Sequence, residues 1–186
     1  SHPLLLITSH EWSSTSTCIV LVMPEHSHHY NEYGGARDEY VGYGLDQWTK
    51  AEAVARLDPY GPPSWFGGFL TLRLIRNPGA AFSMGSTVTV LISLFAIAML
   101  IAVCVWGVPR ARHRWSLIAC GMLIAGICGN LTDRIFRAPG PLRGHVVDFM
   151  SLPHFAVFNV ADIFITSTAI LVVVVAVFGH HEDDAG

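Results

Sequence analysis

Two aspartates, Asp148 in GHVVDF and Asp162 in FNVAD, stand fourteen positions apart. Each is followed by apolar residues, and neither has a lysine or arginine beside it in sequence. Two carboxyl groups brought to one point cannot both ionise easily, so one pKa rises and the other falls. Such a pair can hold a water, with one acid as general base and the other as general acid. Attack of that water on a peptide carbonyl is the aspartic-protease reaction. No GxSxG is present to offer a serine nucleophile. Of the four cysteines, Cys104, Cys120 and Cys128 lie in apolar runs, and none, Cys18 included, has CxxC spacing. They read as small buried hydrophobes rather than nucleophiles, disulfides or metal ligands.

Other polar residues gather near these acids. Asp162 falls in the first turn of an expected helix, where the helix dipole favours an anion, and Asn159 three residues earlier suits the N-cap. GNLTDR holds Asp133 next to Arg134, with Asn130 three residues back on the same helix face. That pattern favours a structural, charge-paired Asp133. In LDQWTK, Asp46 and Lys50 have the i,i+4 spacing of a helical ion pair; contact with substrate is the alternative role.

The elements that must position these residues are apolar. Of 186 residues, enough for one domain, 52% are hydrophobic and 13% charged, against about 25% charged in ordinary soluble domains. A membrane protein is the natural reading. The net charge of −3, without a basic stripe, gives no footprint for nucleic acid. Val88 to Gly107 is twenty residues without a charge, long enough to span a bilayer as a helix. Further spans are expected over 115–132 and 159–178. The second carries Ala119, Gly121, Ala125, Gly126 and Gly129, which permit close helix contact. Three arginines in PRARHR, Pro109 to Arg114, mark the cytoplasmic side. By alternation, the segment before Val88 and the segment from about Asp133 to Asn159 face outward. The polar tail HHEDDAG lies inside. FLTLRLIRN alternates like a strand and Pro78-Gly79 signals a turn, so a small sheet is expected at the membrane surface. Residues 1–44 hold no twenty-residue apolar run. Their His26, His28 and His29 read as a solvated loop rather than a metal site.

LDQWTK, NPGAAFS, GNLTDR, GHVVDF and FNVAD, in this order and with apolar spans between them, strongly resemble lipoprotein signal peptidase, or signal peptidase II. That family is an integral-membrane aspartic protease of bacteria. The resemblance covers roughly residues 45–178. It implies a membrane all-α fold of four transmembrane helices with a small extracytoplasmic β-cradle. The first helix is atypical or missing here, because residues 1–44 are polar where the family places an apolar helix. It implies an aspartic endopeptidase of the plasma (inner) membrane, with Asp148 and Asp162 as the catalytic pair on the extracytoplasmic side. Asp46, Lys50, Asn77, Asn130, Asp133, Arg134, Asn159 and Ala161 fall on the family's supporting positions. The implied substrates are prolipoproteins carrying a diacylglyceryl-cysteine lipobox, cut on the amino side of that cysteine. The implied partners are these substrates and membrane lipids, with no nucleic acid, no metal and no organic cofactor; the chain is expected to act as a monomer. Two alternatives stay open at this level. One is a relative that keeps the fold but has lost competence through its altered N-terminus. The other is a small membrane carrier using Asp162 and Asp133 as buried ion sites.

Overall fold

The computed structural model of the chain describes residues 35–79 and 85–178. The expectations for Cys18, for the histidines of 1–34 and for the tail after Phe178 lie outside the described residues. Four long helices and a three-stranded sheet make up the described part: α1 (Gly35–Arg56), β1 (Ser64–Trp65), β2 (Leu70–Asn77), α2 (Gly85–Ala102), α3 (Arg114–Phe136), β3 (Val146–Ser151) and α4 (Val160–Phe178). α2 runs on through a π-helical turn, Val103–Gly107, and one further turn, Val108–Arg110. Among the described residues, three helical stretches are long and apolar enough to cross a membrane: Thr87–Arg110, Arg114–Phe136 and Val160–Phe178. They correspond to the three expected spans. The second extends four residues past its expected end at Thr132, because Lys50 and Arg137 neutralise Asp133 inside the bundle.

α1 is not one of the three, and it starts well before the expected boundary at residue 44. Its composition is inverted relative to a soluble helix. Glu39, Asp46 and Lys50 are buried, whereas Val41, Leu45 and Trp48 are exposed. The exposed residues are three and four positions apart and so share one face. Such a helix keeps its charges among its neighbours and turns an apolar stripe outward, as suits a lipid-facing position.

α3 is the central element and packs on α1, α2 and α4. Its contact with α2 is a core of Leu100, Val103, Cys104, Val108, Leu117, Ile124, Ile127, Cys128 and Leu131. On its other side its small residues permit close approach. A Cβ at Gly126 would stand 2.7 Å from both the Ala161 carbonyl oxygen and Ile165 Cγ1. A Cβ at Gly42 of α1 would stand 3.0 Å from Ala125 Cβ. α1, α3 and α4 are thereby drawn into near backbone contact, and this lets short polar side chains bridge them.

The sheet is antiparallel in the order β1-β2-β3. Leu72 pairs with Met150 and Ile75 with Asp148, so Arg73 and Leu74 oppose the single residue Phe149. This bulge resets the alternation so that Ile75 and Asn77 share the face of Asp148. Val147 and Phe149, on the opposite face, pack with Ala53 of α1.

Ala is the better helix former by about 1 kcal/mol, but the clash at Gly126 outweighs it. Gly126→Ala is expected to lower the thermal midpoint in detergent, at a net cost of about 1–2 kcal/mol. An unchanged or raised midpoint would contradict this packing.

Candidate active site

Asp148 lies on β3, and both of its carboxylate oxygens accept amide hydrogens. Asn77 Nδ2 donates to Oδ2 at 2.8 Å and Asn159 Nδ2 donates to Oδ1 at 2.6 Å. Asn77 reaches it because the β2–β3 register places it two pairs along, on the same face. Just beyond, the Gly79 N–H donates to Asn77 Oδ1 at 2.7 Å, with Gly79 at φ +80°. This is a turn closed by the asparagine side chain, at the expected Pro78-Gly79 position.

Asp162 stands in the first turn of α4. Asn130 Nδ2 donates to its Oδ1 at 2.8 Å and the Asn159 N–H donates to its Oδ2 at 3.1 Å. The Asp162 N–H donates in return to Asn159 Oδ1 at 3.0 Å. Asn159 and Asp162 thus form a reciprocal capping box. Asn159 is fully buried and touches both acids: its side-chain amide serves Asp148 and its backbone amide serves Asp162. The segment between the acids folds back to make this contact. Phe158 exchanges backbone hydrogen bonds with Met150, so the chain returns alongside β3 before α4 begins.

Behind the pair lies a buried charge cluster. Lys50 Nζ is within 2.8 Å of Asp46 Oδ2 and 2.9 Å of Asp133 Oδ2, with all three side chains fully buried. It also donates to Asn130 Oδ1 at 3.1 Å and to the Gly129 carbonyl at 3.3 Å. Asp46 Oδ1 accepts the Ala161 N–H at 2.9 Å, which ties α1 to the start of α4. Asp133 Oδ2 accepts the Val147 N–H at 3.1 Å, which ties α3 to β3 next to Asp148. Ala161 is fully buried against Gly129, so no larger side chain fits there.

Burial pushes the Asp148 carboxyl up to about 6, and the nearby charge of Asp162 adds to the rise; the amides of Asn77 and Asn159 and the ammonium of Lys50 oppose it. Two carboxyl groups joined through one asparagine, one of them with a raised pKa, are suited to general acid–base work on a shared water.

All ten expected site residues fall in or around this network, with two differences of partner. Asp133 pairs not with adjacent Arg134 but with Lys50 and with Arg137, whose Nε lies 2.6 Å from Asp133 Oδ1. Consecutive helical residues point in different directions, whereas i,i+4 residues stack. Arg134 instead donates to the Pro78 carbonyl at 3.2 Å and so holds the turn after β2. Two residues were missed. The i,i+4 spacing from Asp133 would have found Arg137. Gln47, whose Nε2 bridges Asp46 Oδ2 at 3.0 Å and the Gly129 carbonyl at 3.1 Å, carries no signal beyond its place beside Asp46.

A family model described as Signal peptidase (SPase) II matches residues 40–178. The chain belongs to this family of membrane aspartic proteases. Among curated relatives, a lipoprotein signal peptidase of Mycobacterium avium (strain 104) is 45% identical over 142 residues, covering 76% of this chain and 78% of the relative. One of Rhodococcus jostii (strain RHA1) is 47% identical over 144 residues, covering 77% and 72%. A bacterial membrane enzyme solved by the in meso method at 1.9 Å resolution superposes with a TM-score of 0.67 at 26% identity. That superposition covers 77% of this chain and 92% of the enzyme. The signal peptidase II fold is thereby shown.

Asn159 caps α4 and joins both acids. Asn159→Ala is expected to cost about 1–2 kcal/mol of stability, seen as a lower unfolding midpoint in detergent. A variant as stable as the parent would show that the capping box contributes nothing.

Proposed function

We propose that this chain cleaves prolipoproteins on the amino side of a diacylglyceryl-modified lipobox cysteine, at the extracytoplasmic face of a bacterial plasma membrane, with Asp148 and Asp162 as the catalytic pair. The observation that carries this reading is the joining of the two acids through Asn159, in a chain of the signal peptidase II family. The ionised Asp162 takes a proton from the shared water as its oxygen bonds to the scissile carbonyl carbon. The protonated Asp148 gives its proton to the carbonyl oxygen. In the tetrahedral intermediate that oxygen returns its proton as the carbonyl re-forms, the C–N bond breaks, and a proton passes from the pair to the leaving amine. The pair ends with the one proton it began with.

The placement of the acids suits such a substrate. α3 leads away from the arginine-rich connection and ends at Phe136, near the polar network, where α4 also begins. With that connection on the cytoplasmic side, the acids stand near the outer headgroups, where a lipid-anchored cysteine holds its peptide bond and water is at hand. The carrier alternative calls for an acid in mid-span. Asp162 stands instead at a helix start, and Asp133 is neutralised by Lys50 and Arg137.

The purified chain in detergent is expected to cleave a prolipoprotein peptide bearing diacylglyceryl-cysteine and to leave the unmodified peptide intact. Asp148→Asn and Asp162→Asn are each expected to remove more than about 99% of turnover, in keeping with the loss of a general acid or base. Cleavage surviving in either variant would remove that acid from the mechanism, and an inactive parent chain would point to the relative that has lost competence. The pH profile gives a separate check. Above about 6 Asp148 loses the proton it must donate, so kcat/KM is expected to fall on the alkaline side. Asn77 stabilises the ionised form of Asp148, so Asn77→Ala should move that limb to higher pH. A shift to lower pH would contradict the assignment.

A further inference from the structure

The polarity of the network around the two acids starts from one side chain. A lysine ammonium can only donate hydrogen bonds, and Lys50 is fully buried. Every polar atom turned toward it must therefore accept. Asn130 meets it through Oδ1 at 3.1 Å. Because the amide is planar, Nδ2 then points away from Lys50, and it donates to Asp162 Oδ1 at 2.8 Å. Asn130 Oδ1 also accepts Asn159 Nδ2 at 3.1 Å. That contact turns the Asn159 amide nitrogen toward Asp148 and leaves its oxygen for the Asp162 N–H. With Asn130 reversed, its nitrogen would face the ammonium and its oxygen would face the Asp162 carboxylate, two repulsive contacts in place of two attractive ones.

We propose that Lys50 is a positioning residue: through Asn130 its buried charge orients both asparagine amides so that Asp162 and Asp148 each face an amide N–H rather than an amide oxygen. This deepens the function proposed above and rests on that reading. Lys50 need not touch substrate, since Asp46, Asp133, Asn130 and the Gly129 carbonyl already surround its ammonium. Lys50 and Arg137 face Asp46 and Asp133; the Arg134 guanidinium is a further cation within electrostatic reach of Asp133, Asp148 and Asp162, and the Lys50 ammonium also acts on Asp148 through space. Toward Asp162, Lys50 acts through the Asn130 amide rather than through a direct ion pair.

The test compares the pH dependence of kcat and KM in the full chain with three variants, using the diacylglyceryl-modified peptide. Lys50→Met together with Asp46→Asn removes one positive and one negative charge and keeps the cluster neutral. Lys50→Arg keeps a charge that can only donate. Asn130→Leu adds no charge and has no amide to give Asp162. The double variant and Asn130→Leu are expected to move the acid limb of kcat upward by about one pH unit and to lower kcat at least about tenfold near that limb, with KM within about twofold. Lys50→Arg is expected to keep the parent's acid limb. A purely structural role would lower the active fraction without moving the limb. An unshifted limb in Asn130→Leu, or in the double variant wherever it folds, overturns the positioning role while the parent's cleavage leaves the proposed function standing. A parent chain that cleaves nothing fails the proposed function, and the positioning role with it.

Discussion

The arrangement depends on one buried cation. Lys50 gathers Asp46 from its own helix and Asp133 and Asn130 from α3 around a single nitrogen with no solvent contact. Burying an ammonium costs several kcal/mol unless it is paired and its protons are all satisfied; here carboxylates, an amide and a carbonyl meet that need. Once paired with Lys50, the two carboxylates use their remaining lone pairs on backbone amides. Asp46 takes the Ala161 N–H at the start of α4, and Asp133 takes the Val147 N–H beside Asp148. A helix of mixed composition, an apolar helix, a strand and the helix bearing Asp162 are thus fixed to one another from a single centre. An interaction of this kind adds little net stability compared with an apolar core, but removing one partner leaves an uncompensated charge. Its effect is to specify geometry.

That centre works because the surrounding packing is close. Gly126 and Gly129 of α3 bring α4 and α1 near enough for side chains as short as Asp and Asn to span the gaps. Association in a membrane depends on such packing and on polar contacts between helices, since lipid supplies no hydrophobic drive between them. The exposed Val172, Val173, Val177 and Phe178 of α4, like the outward stripe of α1, form an apolar face that suits contact with lipid. Polar inside and apolar outside is one constraint, expressed twice.

Much of this was legible in the residues. The three apolar spans follow from length and charge, and the i,i+4 pair of Asp46 and Lys50 from helical spacing. The cap at Asn159 and the turn at Pro78-Gly79 follow from local chemistry. Other features depend on tertiary contact and had no local signal. β3 is buried on both faces over Val146–Phe149, so it shows no alternation to mark it as a strand. α1 looked like polar chain up to residue 44 because its buried face is the charged one. Arg134 is the cation next to Asp133 in sequence, whereas its partners are Lys50 from another helix and Arg137 from one turn further on. Gln47 gains its importance only from the proximity of the Gly129 carbonyl.

The central claim is that the two acids share one proton at rest, held on Asp148. Difference infrared spectroscopy of the aspartate carboxyl band, with carboxyl-labelled aspartate in the full chain, tests it most directly. A protonated-carboxyl band that titrates away near pH 6, is absent in Asp148→Asn, and titrates at lower pH in Asp162→Asn is the predicted result. A band unaffected by Asp148→Asn, or no protonated aspartate even just below pH 6, would contradict the account.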